Sequence, residues 1–161
     1  MICDHVLMRV DHPDGPVAGS DATDHVDLDW TDCRRRFQRL TSCAGRDVGL
    51  LMPAGTVLRH GDVLHTAPEF ALVVRVKPCP VLVVRCSSVV TTARVAYELG
   101  DRHVPMQVAR DGVLTPEDDA VAAILDRLGA PYVLECRRFE PLPSSAAPAW
   151  AAAPVVGVGK S

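Results

Sequence analysis

The sequence predicts an α+β protein in which a small β-rich domain precedes a ferredoxin-like βαββαβ domain. Three observations carry this expectation. Up to residue 79 the apolar runs are short, Gly and Pro bound them, and no amphipathic stretch fills three helical turns. The segment "KPCP" (77–80) then interrupts the pattern with two prolines and reads as a linker. Beyond it, strand and helix signals follow one another in the order β-α-β-β-α-β. The expected division is 1–78 for the β-rich domain, 79–142 for the ferredoxin-like domain and 143–161 for a flexible Ala/Pro-rich tail.

Each element has its own signal. "ICDHVLMRV" reads as a strand, and "DHPDGPVAGSD" is a Pro/Gly/Asp loop. "CRRRFQRLTS" follows. Its three arginines, Arg34 to Arg36, alternate between faces of a strand, so they read as a solvated edge and not as one phosphate site. "AGRD" is a turn, "VGLLM" stops at Pro53, Gly55 and Gly61 mark tight reversals, and "EFALVVRV" is a further strand.

In the second half "VLVVRC" (81–86) has the continuous apolarity of a central strand. Ser87 or Ser88 caps a helix whose Val89, Ala93, Ala96 and Tyr97 form one apolar face, and Gly100 fits its stop. "VPMQVA" is a strand, "RDG" a hairpin turn and "VL" a short return strand. Thr115 as cap, Pro116 at the first helical position and Glu117 and Asp118 in the first turn predict a second helix. Val121, Ile124, Leu125 and Leu128 line its buried face, Gly129 ends it, and "YVLECRRF" is the last strand.

Composition limits the function. The chain has 161 residues, a formal net charge of −3 and 4% aromatic residues. A duplex binder needs a basic surface and a single-strand binder needs stacking rings, so no nucleic-acid partner is expected. No apolar run is long enough to span a membrane, and the N-terminus has no secretory pattern. The six cysteines form no C-x-x-C, which fits free thiols in the cytoplasm.

Chemistry must then come from single residues. Cys3 and His5, two apart in one strand, would share a face, but two ligands do not close a metal site. His12 and His25 are expected in an exposed loop, and His60 and His65 in a hairpin loop. His103 is placed differently, directly after the first helix of the ferredoxin-like unit, with Asp101 near enough to orient its ring. Cys86 or Cys136 with His103 is the one nucleophile–base pairing available, and both thiols are expected to be buried and inert. No nucleophile elbow, phosphate loop or H-E-x-x-H occurs, so an enzyme is not expected.

Two segments go further. "GRDVGLLMPAGTVLRHGDVL" (45–64) and "AYELGDRHVPMQV" (96–108), with "FEPLP" after the last strand, resemble the hallmark stretches of the UreE family of urease accessory proteins. The resemblance spans roughly residues 28–143. It implies a β-rich, peptide-binding-like domain followed by a ferredoxin-like metal-binding domain in a cytoplasmic homodimer. It implies that His103 from each subunit binds one shared Ni(II). The ion would be donated to the urease apoprotein complex with a UreG-type accessory GTPase. Zn(II) or Cu(II) would suit the same imidazoles. The tail lacks the histidines that many relatives carry, and Glu117, Asp118 and Ala120 stand where some relatives have more of them, so extra nickel storage is not implied. The alternative is a non-metal module of urease maturation that holds a partner peptide through its β-rich domain.

Overall fold

The computed structural model of the chain describes residues 1–142. The tail expected over 143–161 lies outside the described residues. The first half is two sheets packed face to face. Strand β1 (Ile2–Cys3) runs parallel to β5 (Asp47–Leu51), which pairs antiparallel with β4 (Phe37–Thr41), giving the order β1-β5-β4. The second sheet has the order β2-β6-β7-β3, from β2 (Met8–Arg9), β6 (Asp62–Thr66), β7 (Ala71–Val76) and β3 (Thr23–Leu28). Cys3, Val26, Leu28, Val48, Leu50, Met52, Leu72 and Val74 fill the space between them.

"ICDHVLMRV" is therefore not one strand. Its ends, β1 and β2, belong to different sheets, and the exposed Asp4 and His5 carry the chain across. The helical content of this half is one 3₁₀ turn, Asp32–Arg34. Arg34 ends that turn and β4 begins only at Phe37, so the three arginines precede the strand. All three side chains are exposed.

The second half has the predicted ferredoxin-like arrangement. Strand β8 (Pro78–Val84) leads to helix α1 (Val89–Asp101), then β9 (Gln107–Ala109), β10 (Gly112–Pro116), helix α2 (Asp119–Leu128) and β11 (Tyr132–Arg138). The antiparallel sheet has the order β11-β8-β10-β9. The prolines of "KPCP" make no separate linker, because Lys77 alone separates β7 from β8. Pro78 and Pro80 pair in register with Arg138 and Cys136. The Pro80 carbonyl accepts from Glu117 N–H (3.2 Å), on the side of β8 away from β11. The missing proline N–H groups lie on that same side, where β10 has already ended, so no ladder bond is lost.

Both faces of this sheet are covered. Leu82, Val84 and Val113 pack under Val95 and Leu99 of α1 and Val121 and Leu125 of α2. On the other face Val81, Val83, Leu114 and Phe139 meet Trp30 from the first half, whose ring stands edge-on to Phe139 at 5.1 Å.

Three expectations shift. The buried stripe of α1 is Val95 and Leu99, while Val89, Val90, Ala93 and Tyr97 face outward and Ala96 is half-buried. Strand β10 runs on through Thr115 and Pro116, which pair with Leu82 and Val81, so neither starts the helix. Asp118 is the cap instead, its carboxylate accepting from Ala120 N–H (2.8 Å) and Val121 N–H (3.0 Å). Cys136 is exposed because β11 is an edge strand, and Cys86 is half-buried just beyond the end of β8.

Candidate metal centre

Helix α1 opens conventionally, with Ser88 Oγ accepting from Thr91 N–H at 3.1 Å. It closes in an unusual way. Val104 N–H donates to Leu99 C=O (2.9 Å) and His103 N–H to Gly100 C=O (3.0 Å). These are the two bonds of a Schellman motif, which requires a left-handed residue at its penultimate position. That residue is His103, with φ of +54°, the one non-glycine at positive φ among the described residues. Gly100 lies inside the helix and does not stop it.

Helix α2 provides the comparison. It ends with the same two bonds, Ala130 N–H to Leu125 C=O and Gly129 N–H to Asp126 C=O, both at 3.0 Å, and there the left-handed residue is Gly129 at φ +63°. An L-residue in this conformation costs about 1–2 kcal/mol relative to the right-handed one. The chain therefore keeps an imidazole where its own second helix uses glycine.

His103 is exposed, and its backbone is fixed from both sides. Arg102 Nη1 donates to Glu98 C=O (2.9 Å) and pairs with the Glu98 carboxylate, closing the last helical turn. Val104 packs into the core under α1. The ring borders a groove of about 450 Å³ whose lining includes Trp30, Pro105, Glu117, Asp118 and Ile124. Asp118 is engaged by its capping bonds, whereas the Glu117 side chain is exposed. Asp101 is the last residue of α1 and exposed, and no hydrogen bond joins it to the His103 ring among the described residues, so the orienting role expected for it is not seen.

The other histidines do not join this site. Cys3 is buried while His5 is exposed beside Asp4, so the two do not share a face. His12 is exposed as expected. His25 is not a loop residue: it lies in β3, its side chain 13% exposed, with Nε2 3.0 Å from Pro13 C=O. His65 lies within β6, its ring 5.1 Å from that of Phe70. His60 Nδ1 accepts from Val76 N–H at 3.3 Å. Burial pushes the Cys33 thiol up to about 12, which leaves it unreactive. Among the described residues, no three His, Cys, Asp or Glu side chains gather closely enough to hold a metal ion. One copy of the chain offers a single imidazole at this corner, near the exposed carboxylates of Asp101 and Glu117.

Two features of the site carried no clear sequence signal. Trp30 lines the groove from the other half of the chain, a contact of long sequence separation. The exposed apolar strip of α1 had a helical period, but Val95 and Leu99 have that period too, and only packing decides which stripe is buried.

Comparison with known proteins bears on this geometry. The model of the N-terminal domain of UreE urease accessory proteins matches residues 4–77, and that of the C-terminal domain matches residues 79–152. The urease accessory protein UreE of Acetivibrio thermocellus is 32% identical over 120 residues, covering 74% of this chain and 78% of the relative. That of Halalkalibacterium halodurans is 32% identical over 115 residues, covering 71% and 77%. That of Burkholderia mallei is 42% identical over 110 residues, covering 68% of this chain and 53% of the relative. Both family domains are matched in order, and the ferredoxin-like topology lies in the second. The chain belongs to the UreE urease accessory protein family, and it is accordingly an accessory protein and not an enzyme.

Proposed function

We propose that this protein is a cytoplasmic nickel metallochaperone for urease, acting as a homodimer in which His103 of each copy binds one shared Ni(II). The observation that carries the reading is the left-handed backbone at His103. Strain of this kind persists where a side chain is needed in one particular place. Two further features support it. A single imidazole holds a divalent ion poorly, and a two-fold axis supplies a second without any new residue. The outward strip of α1 gives a second copy something to pack on: Val89 is 86% exposed and Tyr97 72%, and the strip runs toward the helix end that bears His103.

Two neutral imidazoles suit Ni(II), and also Zn(II) or Cu(II), and leave coordination positions for water or for the acceptor's ligands. Such a site can give its ion up. On this reading residues 1–78 and 79–142 are the two domains, and the recipients are a UreG-type GTPase and the urease apoprotein complex. Titration of Ni(II) into the chelator-treated protein, with sedimentation in parallel, tests it. One tight ion per dimer is expected, weakening on acidification because the ring must be unprotonated to ligate. Unchanged tight binding by His103→Ala would sink the assignment.

A second reading, a module that holds a partner peptide without metal, draws on the outward face of β1-β5-β4. There Ile2, Phe37 and Leu51 are exposed around Gly49. Metal-independent association with the GTPase, lost on Phe37→Ser, would favour it.

A further inference from the structure

His60 is a histidine that the metal reading does not use, and its surroundings are built. The ladder between β6 and β7 ends where Gly61 N–H donates to Val74 C=O at 2.9 Å. The next donor along that edge of β7 is Val76 N–H, and the β6 backbone has already turned away. The His60 ring takes its place, with Nδ1 accepting from Val76 N–H at 3.3 Å. Val76 is the last residue of β7, one residue before β8 begins. The His60 backbone N–H donates to Glu140 Oε1 at 3.3 Å, and Glu140 backbone N–H donates to Gln107 Oε1 at 2.8 Å. The residue thus ties the end of the first half's sheet to the segment that follows β11, next to the Trp30–Phe139 contact. An Nδ1 that accepts must be unprotonated, so the neutral ring carries its proton on Nε2.

We propose that His60 is a proton-operated clasp at the end of the first half's sheet, closed when the imidazole is neutral and opened when Nδ1 gains a proton. Protonation turns the acceptor into a donor that faces another donor, and the Val76 bond is lost. Charged groups act on the ring from each side. Arg75 lies on β7 and Arg138 on β11, and both oppose its charging; Glu140 beyond β11 and Asp14 in the N-terminal loop favour it. Burial is the largest influence and, with Arg138, holds the imidazole below its ordinary range. The contribution of the clasp to stability is therefore complete above the ordinary histidine range and disappears as pH falls through the lowered value.

Amide hydrogen exchange by NMR on the full-length, metal-free protein tests this without reference to nickel. After correction for intrinsic rates, the protection of Val76 N–H should fall about tenfold or more between pH 7.5 and the pH at which the ¹⁵N shifts of the His60 ring show it protonated. The protection of Gly61 N–H, held by backbone alone, should stay level. His60→Asn, whose amide oxygen accepts without titrating, should hold Val76 protection constant across that range, and His60→Ala should leave it low throughout. Constant Val76 protection in the wild type, or a ring protonated on Nδ1 at pH 7.5 by its ¹⁵N shifts, would overturn the clasp. The same fall in His103→Ala shows that the metal site plays no part, and its disappearance in that variant would also overturn the clasp.

Discussion

Replacing His103 by glycine should stabilise the metal-free protein while removing the side chain proposed to bind nickel. His103 sits at φ +54° in a motif that α2 completes with Gly129 at φ +63°, so the chain contains its own reference for the relaxed version. Relief of the left-handed strain is worth about 1–2 kcal/mol. Against it, glycine adds freedom to the unfolded chain, costing about 0.4–1 kcal/mol. The balance favours His103→Gly by roughly 0.5–1 kcal/mol, or about 1–4 °C in Tm for a chain of this size. His103→Ala removes the same ligand but keeps a Cβ in the strained conformation, so it should gain nothing. Urea unfolding of the three proteins, with chelator present and at one protein concentration, gives the comparison. Both variants should lose tight Ni(II), and only the glycine variant should shift its midpoint upward at an unchanged slope. A glycine variant no more stable than the alanine variant would refute the argument that imidazole is held there at a cost.

The remaining expectations concern the scaffold. Leu99 is fully buried under α1, so Leu99→Ala should cost about 2–5 kcal/mol in urea unfolding. Tyr97→Ala, on the outward strip of the same helix, should leave monomer stability nearly unchanged and weaken self-association in sedimentation. Asp24 is 4% exposed and joins β3 to the 42–46 turn. Burial would raise its carboxyl, but hydrogen bonds from Ser42, Ala44 N–H, Arg46 and His25 N–H outweigh that and hold it below the ordinary value. Its contribution is present above the unfolded carboxylate value, about 3.9, and is lost as pH falls through the lowered one. Asp24→Ala should therefore cost about 1–3 kcal/mol near neutral pH, and the difference in urea midpoint from the wild type should close in strong acid.

Much of the site was legible because its signals are local. The cap at Ser88, the apolar run of β8, the Asp111–Gly112 turn and Gly129 at the end of α2 depend on neighbours within a few residues, and each took its expected place. The errors arose where a local signal competed with a distant one. Thr115-Pro116-Glu117-Asp118 is a good helix start in isolation, yet Thr115 and Pro116 complete pairs with Leu82 and Val81, and the cap moved to Asp118. Gly100 resembled a helix stop, but the packing of Val104 beneath α1 carried the turn three residues further, to His103.

By itself the sequence determined the β-rich half, the βαββαβ order after it, the family, and the corner of the chain at which His103 stands. These follow from composition, period and short motifs, all written along the chain. Only the tertiary structure decided that His103 bears the left-handed turn, that α1 buries Val95 and Leu99 and leaves Tyr97 outside, and that Trp30 closes the far face of the ferredoxin-like sheet. The reason is that a helical period defines stripes without choosing between them. The choice is made by what packs against the helix, and those partners lie tens of residues away in sequence.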